Sequence, residues 1–224
     1  MTGPVEGLSC RDYGVKYGME LFSRLRFWSR YIALGDSLTA GRGDLGADGR
    51  PVGWARRLAD ILSDRTGVAC AVTNLAVDGA TVRRVLEQQL PQVNGARPDL
   101  VSITVGMNDI RGAQFNPADF NAELGRLLDA VATTGATILT CTLPDIADVV
   151  ELPAEHVEIA RYRLGEASDI IRDQSARRGA VCLDTWAMRD LAASPELFTA
   201  DRLHPNASGH RRLATAFADL LLTA

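Results

Sequence analysis

Five nearly continuous apolar runs of strand length dominate the sequence, and each is followed by room for a helix. They lie at residues 30–36, 68–76, 100–106, 136–143 and 180–186. None alternates between apolar and polar residues, as a strand with one face in water does, so the runs predict strands buried on both faces of a parallel sheet. A chain of 224 residues with 46% hydrophobic residues is long enough to build the core that such a sheet requires.

The segments between the runs carry the spacing and end signals of amphipathic helices. Trp54, Leu58 and Leu62 recur at helical spacing ahead of Gly67, a residue suited to a helix C-terminus. Four helices are predicted in this way, at about residues 53–67, 116–135, 153–178 and 206–222. Because strands and helices alternate, the fold class is three-layer α/β with a central parallel sheet of about five strands.

The domain organisation follows from where the first strand begins. We expect an N-terminal extension over residues 1–29 and one catalytic or binding domain over residues 30–224, since no internal repeat or linker interrupts the alternation. Residues 1–29 lack the charged start, apolar centre and cleavage site of a signal peptide. A cytoplasmic setting is therefore the expectation for this chain.

The bulk properties narrow the possible partners. A formal net charge of −4 argues against a surface for nucleic acid or anionic membranes. No segment approaches the roughly 20 apolar residues of a membrane span. We therefore expect a small-molecule partner, with no nucleic acid and no membrane span, while the oligomeric state is left open.

Cofactor and metal signals are weak in this sequence. The glycines of "GRGDLG" at residues 41–46 match a dinucleotide fingerprint only formally, because they lie beyond the strand end and no helix follows directly. No cluster of His, Cys, Asp and Glu has metal-ligand spacing. The four cysteines lack CxxC spacing, and three of them lie in apolar runs, which indicates buried thiols in a reducing setting. They are Cys10, Cys70, Cys141 and Cys182. The predicted chemistry requires no cofactor and no metal.

Four polar clusters stand at or near the ends of the apolar runs, where parallel sheets bind their ligands. They are Asp36–Ser37, Asp78–Gly79, Asn108–Asp109 and Asp201–His204. Ser37 follows the first strand in a turn that Gly35 permits and that the Asp36 side chain braces. A serine at this place presents its hydroxyl to the crevice, but it becomes a useful nucleophile only beside a base.

The base is sought among three histidines. His204 lies on a turn before the last helix, held out of helical conformation by Pro205, whereas His156 and His210 are expected to be structural or exposed. Asp201, three residues before His204, is the preferred partner for the imidazole. Asp184, at the end of the fifth run, is the alternative acid. Candidate oxyanion donors are the Ser37 backbone N–H, Gly79 at the start of a predicted helix, and the Asn108 side-chain amide.

At these residues the chain resembles the SGNH, or GDSL-type, hydrolases, a family of esterases and lipases. "GDSL" (35–38), Gly79 in "NLAVDGAT", "GMND" (106–109) and "DRLHP" (201–205) are similar to the four family blocks, in the same order. The resemblance implies a flavodoxin-like fold and a catalytic triad of Ser37, His204 and Asp201. It also implies an oxyanion hole formed by Ser37, Gly79 and Asn108.

Two functional hypotheses of different class follow. The first is a serine ester hydrolase that works through an acyl-enzyme, with short to medium acyl esters as substrates. The second is a non-catalytic module that binds an acyl or sugar ligand on the same scaffold. The apolar loop after the fourth strand, residues 144–153, is expected to cover the site. Acetylated sugars, lysophospholipids and acyl thioesters all stay open as natural substrates.

Overall fold

A single parallel sheet of five strands forms the centre of the protein. The computed structural model describes residues 27–93, 95–112, 115–188, 190 and 193–223. The strand order is β2-β1-β3-β4-β5, and every adjacent pair is parallel. The strands are β1 (Arg30–Gly35), β2 (Ala71–Asn74), β3 (Leu100–Thr104), β4 (Thr137–Cys141) and β5 (Val181–Leu183). This is the flavodoxin-like order, so the prediction of a parallel sheet of about five strands is confirmed.

Helices follow the strands and cover the sheet. They are α1 (Ser37–Ala40), α2 (Gly53–Thr66), α3 (Val82–Arg84), α4 (Met107–Arg111), α5 (Pro117–Ala132), α6 (Ala154–Arg177) and α7 (Ala207–Thr223). A π-helical turn at Val85–Gln89 continues α3. The predicted end signals are in place: Gly67 caps α2 with a left-handed φ of 71°, and the Asn116 side chain accepts the Ala118 N–H at 2.9 Å to begin α5.

The three layers arise because successive residues of a strand point to opposite faces of the sheet. In β1, Ile32 and Leu34 belong to the core that α5 and α6 cover. Tyr31 and Ala33 belong to a second core, which α2 and α7 cover. In that second core, Trp54 of α2 and Phe217 of α7 are fully buried, with ring centroids 4.5 Å apart.

Burial differs between the central and the edge strands. β1 and β3 are buried almost throughout, as predicted for strands covered on both faces. The same prediction is wrong for β2, whose residues are exposed except for the half-buried Val72. β2 lies at the edge of the sheet, so it has a neighbouring strand on one side only, and its apolar run contributes little to the core.

The predicted extension over residues 1–29 lies almost wholly outside the described residues. Within the described part, Trp28 is 3% exposed and belongs to the second core, and its indole N–H donates to Thr137 Oγ1 at 3.2 Å. The Ser29 N–H and hydroxyl both donate to Asp99 Oδ2. The packed domain therefore takes in the residues directly before β1. No helix in the described part of the chain combines the length and the apolar character needed to cross a bilayer.

Candidate active site

Ser37 lies just after β1, where the order of the strands in the sheet reverses. β1 lies between β2 and β3, at the place where the strand order reverses. In this fold, ligands bind in the crevice at that place, outside the carboxyl ends of the strands. Gly35 ends β1 with a φ of 151°, and a Cβ there would lie 2.3 Å from the Thr104 carbonyl oxygen, so no other residue fits. Asp36 then accepts the Leu38 N–H at 3.0 Å and starts α1 at Ser37. Asp36 braces the turn, as the sequence predicts.

Three of the predicted residues form one hydrogen-bonded chain. The His204 Nε2 lies 2.9 Å from the Ser37 Oγ, and the His204 Nδ1 lies 2.7 Å from the Asp201 Oδ2. His204 is 7% exposed, on the turn between the Thr199–Arg202 segment and α7. Side chains that are 167 residues apart in the sequence therefore meet at the end of β1.

The Asp201 carboxylate is held by its own loop. Its Oδ1 accepts the Leu203 and His204 backbone N–H groups, each at 3.0 Å, and the Thr199 hydroxyl at 2.7 Å. Desolvation raises the pKa of Asp201, but these hydrogen bonds and the one from His204 outweigh it and hold the pKa well below its usual range. The ionised Oδ2 then accepts a hydrogen bond from the Nδ1–H of His204, which leaves Nε2 as the acceptor for the Ser37 hydroxyl.

The alternative acid and base have other partners. Asp184 pairs with the Arg172 guanidinium at 3.2 Å and accepts the Thr142 hydroxyl at 3.0 Å. His210 is fully buried: its Nδ1 accepts the Trp54 N–H at 3.1 Å and its Nε2 donates to a backbone carbonyl at 2.9 Å. Burial lowers the pKa of His210, consistent with a neutral structural imidazole. His156 is exposed on α6.

Asn108 ties the ends of β1 and β3 to the turn that contains Gly79. Its Nδ2 donates to the Ala80 carbonyl at 3.0 Å and to the Asp36 Oδ2 at 3.2 Å. The bond to Ala80 brings the preceding Gly79 to the same end of the sheet as Ser37. The prediction that Gly79 opens a helix is wrong, because α3 begins at Val82, while Gly79 occupies an exposed turn with a φ of 74°.

Two carboxyl groups lie near this amide: Asp36 is buried and accepts a hydrogen bond from it, and Asp109 is the half-buried next residue in the chain. Burial raises the pKa of Asp36 to about 7, against a partly offsetting hydrogen bond from the Leu38 N–H. Burial also raises the pKa of Asp109 to about 6, although its carboxylate accepts the Val82 N–H at the start of α3. Both groups therefore titrate near neutral pH, close to the candidate oxyanion donors.

Gln89 is a site-supporting residue that sequence reasoning missed. Its Oε1 accepts the Gly35 N–H at 2.9 Å, and its Nε2 donates to the Gly35 carbonyl at 2.8 Å. Gln89 is 2% exposed and lies in the π-helical turn after α3, a feature frequent at functional sites. One signal was available: Gln89 is a polar residue in the helical series of apolar positions that starts at Val82 and Val85.

The glycine-rich segment at residues 41–46 supports the turn that carries His204. A Cβ on Gly43 would lie 2.2 Å from the Pro205 carbonyl oxygen, so this glycine permits close backbone contact. The next residue, Asp44, is 1% exposed and pairs with the Arg57 guanidinium at 2.7 Å. The segment therefore packs against the turn that carries His204 and is tied to α2 by the ion pair of Asp44 with Arg57.

Two spaces of different shape meet at His204, and Ser37 lines the first of them. We call the first the inner cavity: it has a volume of about 90 Å³ and runs from Ser37 between the ends of β3, β4 and β5. Its apolar wall is formed by Leu38, Val105, Leu143, Leu197, Phe198 and Leu213. We call the second the outer groove: it measures about 900 Å³ and lies between the loop after β4 and α6. Residues of that loop line both spaces, Pro144 the cavity and Val150 the groove.

Neither a metal-ligand cluster nor a disulfide bond is found among the residues that the structure describes. Among them, no three His, Cys, Asp or Glu side chains are grouped as a metal ion would require. The described cysteines, Cys70, Cys141 and Cys182, are free thiols. Burial raises the pKa of the Cys70 thiol to about 11, so it is not a reactive thiolate at neutral pH.

A sequence model of the GDSL-like lipase/acylhydrolase family matches residues 33–212. The chain belongs to this family. The resemblance that rests on the four sequence blocks is thereby confirmed. Membership in the GDSL-like lipase/acylhydrolase family makes the protein a carboxylic ester hydrolase.

Known proteins with the same fold include bacterial esterases. An acetylxylan esterase of Geobacillus stearothermophilus is 25% identical over 204 residues, covering 84% of this chain and 91% of the relative. A crystal structure of Axe2, an acetylxylan esterase from the same organism, matches with a TM-score of 0.71 and 21% identity, over 86% and 94% of the two chains. LAE5, an α/β hydrolase enzyme from the metagenome of Lake Arreo, Spain, matches with a TM-score of 0.72 and 23% identity, over 88% and 96%. The two structural matches show a shared fold.

Proposed function

We propose that this ester hydrolase works through a catalytic triad in which Ser37 is the nucleophile, His204 the general base and Asp201 the orienting acid. The observation that carries the proposal is the hydrogen-bonded chain from Ser37 Oγ through the His204 imidazole to the Asp201 carboxylate. A serine is a weak nucleophile until a base takes its proton, and Nε2 of His204 lies within reach to do so.

The first half of the reaction forms an acyl-enzyme. Ser37 Oγ bonds to the ester carbonyl carbon while His204 Nε2 takes the hydroxyl proton, and the carbonyl π electrons move onto oxygen. Asp201 stabilises the resulting imidazolium. The tetrahedral intermediate then collapses: the bond to the alcohol oxygen breaks, and His204 gives its proton to the departing alcohol.

The second half regenerates the enzyme. Water takes the place of the alcohol, and His204 Nε2 accepts one of its protons as its oxygen bonds to the acyl carbon. The bond to Ser37 Oγ breaks, the proton returns from His204 to Ser37, and the carboxylic acid leaves. No cofactor or metal takes part in either half.

The negative charge on the carbonyl oxygen needs hydrogen-bond donors that are already in place. We assign this role to the backbone N–H groups of Ser37 and Gly79 and to the Asn108 amide. The bond from Asn108 to the Ala80 carbonyl supports this assignment, because it holds the amide nitrogen next to the turn of Gly79. The second amide hydrogen donates to the Asp36 Oδ2 at 3.2 Å and has to turn from that carboxyl group to the oxyanion. Loss of one such donor typically costs about 10²–10³ in rate.

We propose that the substrate is a small ester with a short acyl group. The acetylxylan esterase among the relatives acts on acetylated carbohydrate, and an acetyl ester is accordingly the first substrate to test here. The alternative of a non-catalytic acyl- or sugar-binding module predicts that a ligand binds without turnover.

The test is pre-steady-state hydrolysis of p-nitrophenyl acetate and butanoate by the wild type and by Ser37→Ala. We expect a burst of p-nitrophenol of about one equivalent, or steady turnover if deacylation is fast, and neither in the variant. Circular dichroism should report the same fold for both proteins. Turnover that survives in Ser37→Ala would remove Ser37 from the mechanism, and binding without turnover in the wild type would favour the binding module.

A further inference from the structure

The inner cavity and the outer groove differ in how they reach solvent. The cavity is narrow and lies among buried strand ends, where Cys141 is 6% exposed and Thr142 is fully buried. The groove is wide and lined partly by exposed side chains, among them Leu152 and Ile159. A group that enters the cavity is enclosed by protein, whereas a group in the groove stays next to water.

The buried threonine side chains in the cavity wall are already hydrogen-bonded within the protein, and the charged Arg111 is an exposed residue that also lines the outer groove. The Thr104 hydroxyl is hydrogen-bonded to the Thr39 hydroxyl, and the Thr142 hydroxyl donates to the Asp184 Oδ1 at 3.0 Å. The Thr185 hydroxyl donates to the Thr142 carbonyl. A sugar in this cavity would bury hydroxyl groups with few partners, which costs about 1–3 kcal/mol for each group left unpaired. The cavity is therefore suited to an apolar group.

The order in which the two parts of the ester leave Ser37 indicates which part each space holds. The alcohol leaves first, while the acyl group stays covalently bound to Ser37 until water arrives. The alcohol therefore needs an open exit at a time when the acyl group still occupies its own site. The outer groove supplies that exit, and its charged residues, such as Arg42 and Glu151, suit an alcohol portion that carries polar groups. The inner cavity, which Ser37 itself lines, is left for the acyl chain.

The volume of the inner cavity limits the length of the chain. A protein cavity of about 150 Å³ holds one benzene molecule, with six carbon atoms. The inner cavity has about 90 Å³, which in proportion is room for roughly four carbons. We infer that the inner cavity is the acyl site, that it takes acyl groups of two to about four carbons, and that the outer groove takes the alcohol. The inference rests on the proposed role of Ser37.

The experiment is a chain-length profile of kcat/KM with p-nitrophenyl acetate, butanoate, hexanoate and octanoate. For the wild type we expect at least a tenfold decrease from butanoate to hexanoate, because a methylene that does not fit a fixed pocket costs about 10–200-fold. Leu143→Phe should narrow the cavity and reduce butanoate hydrolysis at least tenfold relative to acetate. Leu197→Phe makes the same change at a half-buried wall position, in case the core variant does not fold.

The matched control is Ile159→Ala, a substitution in the outer groove at a side chain that is 52% exposed. It should leave the acyl profile unchanged and alter the preference among acetate esters of different alcohols. If octanoate is hydrolysed as well as butanoate, or if Ile159→Ala and not the cavity variants shifts the acyl profile, the assignment of the two spaces is overturned. If that assignment fails but turnover still depends on Ser37, the proposed function stands. If the folded wild type hydrolyses no ester, the assignment of the spaces and the proposed function are both overturned.

Discussion

Gln89 holds both backbone polar groups of Gly35, the residue that ends β1. The Gly35 N–H donates to Oε1 at 2.9 Å, and the Gly35 carbonyl accepts from Nε2 at 2.8 Å. On the β2 side of the sheet the register with β1 stops at Asn74 opposite Ala33, although the Gly35 carbonyl also accepts the Val77 N–H at 3.2 Å. Gln89 thus takes the place of a strand residue and fixes the peptide two residues before Ser37.

Gln89→Leu should reduce both stability and activity. The substitution leaves the buried Gly35 N–H without its acceptor, at a cost of about 1–3 kcal/mol. For a chain of this size that lowers Tm by roughly 2–12 °C. Thermal unfolding and kcat should be measured together, with the exposed neighbour Gln88→Leu as the control. If Gln89→Leu has the same Tm as Gln88→Leu, the two hydrogen bonds between Gln89 and Gly35 contribute nothing to stability.

Two histidine substitutions should separate catalysis from folding. His204→Ala removes the proposed base at a turn and should lower kcat by at least 10³-fold with little change in Tm. His210→Ala removes a fully buried imidazole with two hydrogen bonds and should lower Tm while the folded fraction keeps its kcat. Activity assays at a temperature where both variants are folded check this. The base is misassigned if His210→Ala loses activity and His204→Ala does not.

Asp201→Asn should impair catalysis far more than Asp184→Asn. An amide cannot fix the imidazole tautomer or stabilise the imidazolium, and such a change typically costs about 10⁴ in kcat. Asp184 pairs with Arg172 at a partly exposed position, so its loss should leave kcat within a few-fold of wild type. Steady-state kinetics on both variants decides between them. The reverse order of effects would place the orienting acid at the end of β5.

Asp36 should give the protein a specific dependence of stability on pH. Its pKa is about 7 in the folded protein and 3.8 ordinarily, so between these values the folded state keeps a proton that the unfolded state releases. The contribution of Asp36 to stability therefore falls as pH rises from about 4 to 7. Asp36→Asn cannot titrate and should flatten that part of the profile, while Asp64→Asn, at an exposed position, should not. Urea unfolding at pH 5, 6, 7 and 8 tests this; identical slopes in the wild type and Asp36→Asn contradict it.

The fold was predictable because its signals are local and repeated. Continuous apolar runs, helical spacing and end residues such as Gly67 and Asn116 each act over a few residues, and most lead to the observed elements. The exposure of β2 was not predictable from its run, because burial depends on which strand takes the edge. Strand order is a property of the whole chain and leaves no mark within residues 68–76.

In the candidate site too, residues with a local sequence signal were predictable, and the residue whose role depends on the sheet was not. Ser37 and His204 were found because each has an unusual local setting, a glycine turn in one case and a following proline in the other. Gln89 was missed because its role depends on the shortness of β2, whose register with β1 stops before Gly35 and leaves the Gly35 N–H to Gln89. The start of α3 at Val82 was misjudged because the cap is Thr81 and the turn at Gly79 precedes it.

Covalent capture of the nucleophile tests the central claim most directly. The wild type, Ser37→Ala and His204→Ala would be incubated with a p-nitrophenyl alkylphosphonate, which phosphonylates an activated serine and stops there. Mass spectrometry of the intact and digested protein then counts and locates the label. We predict one phosphonyl group on Ser37 in the wild type, much slower labelling of His204→Ala and none of Ser37→Ala. A label on another residue, or equal labelling of Ser37→Ala, would contradict the assignment of Ser37 as the nucleophile.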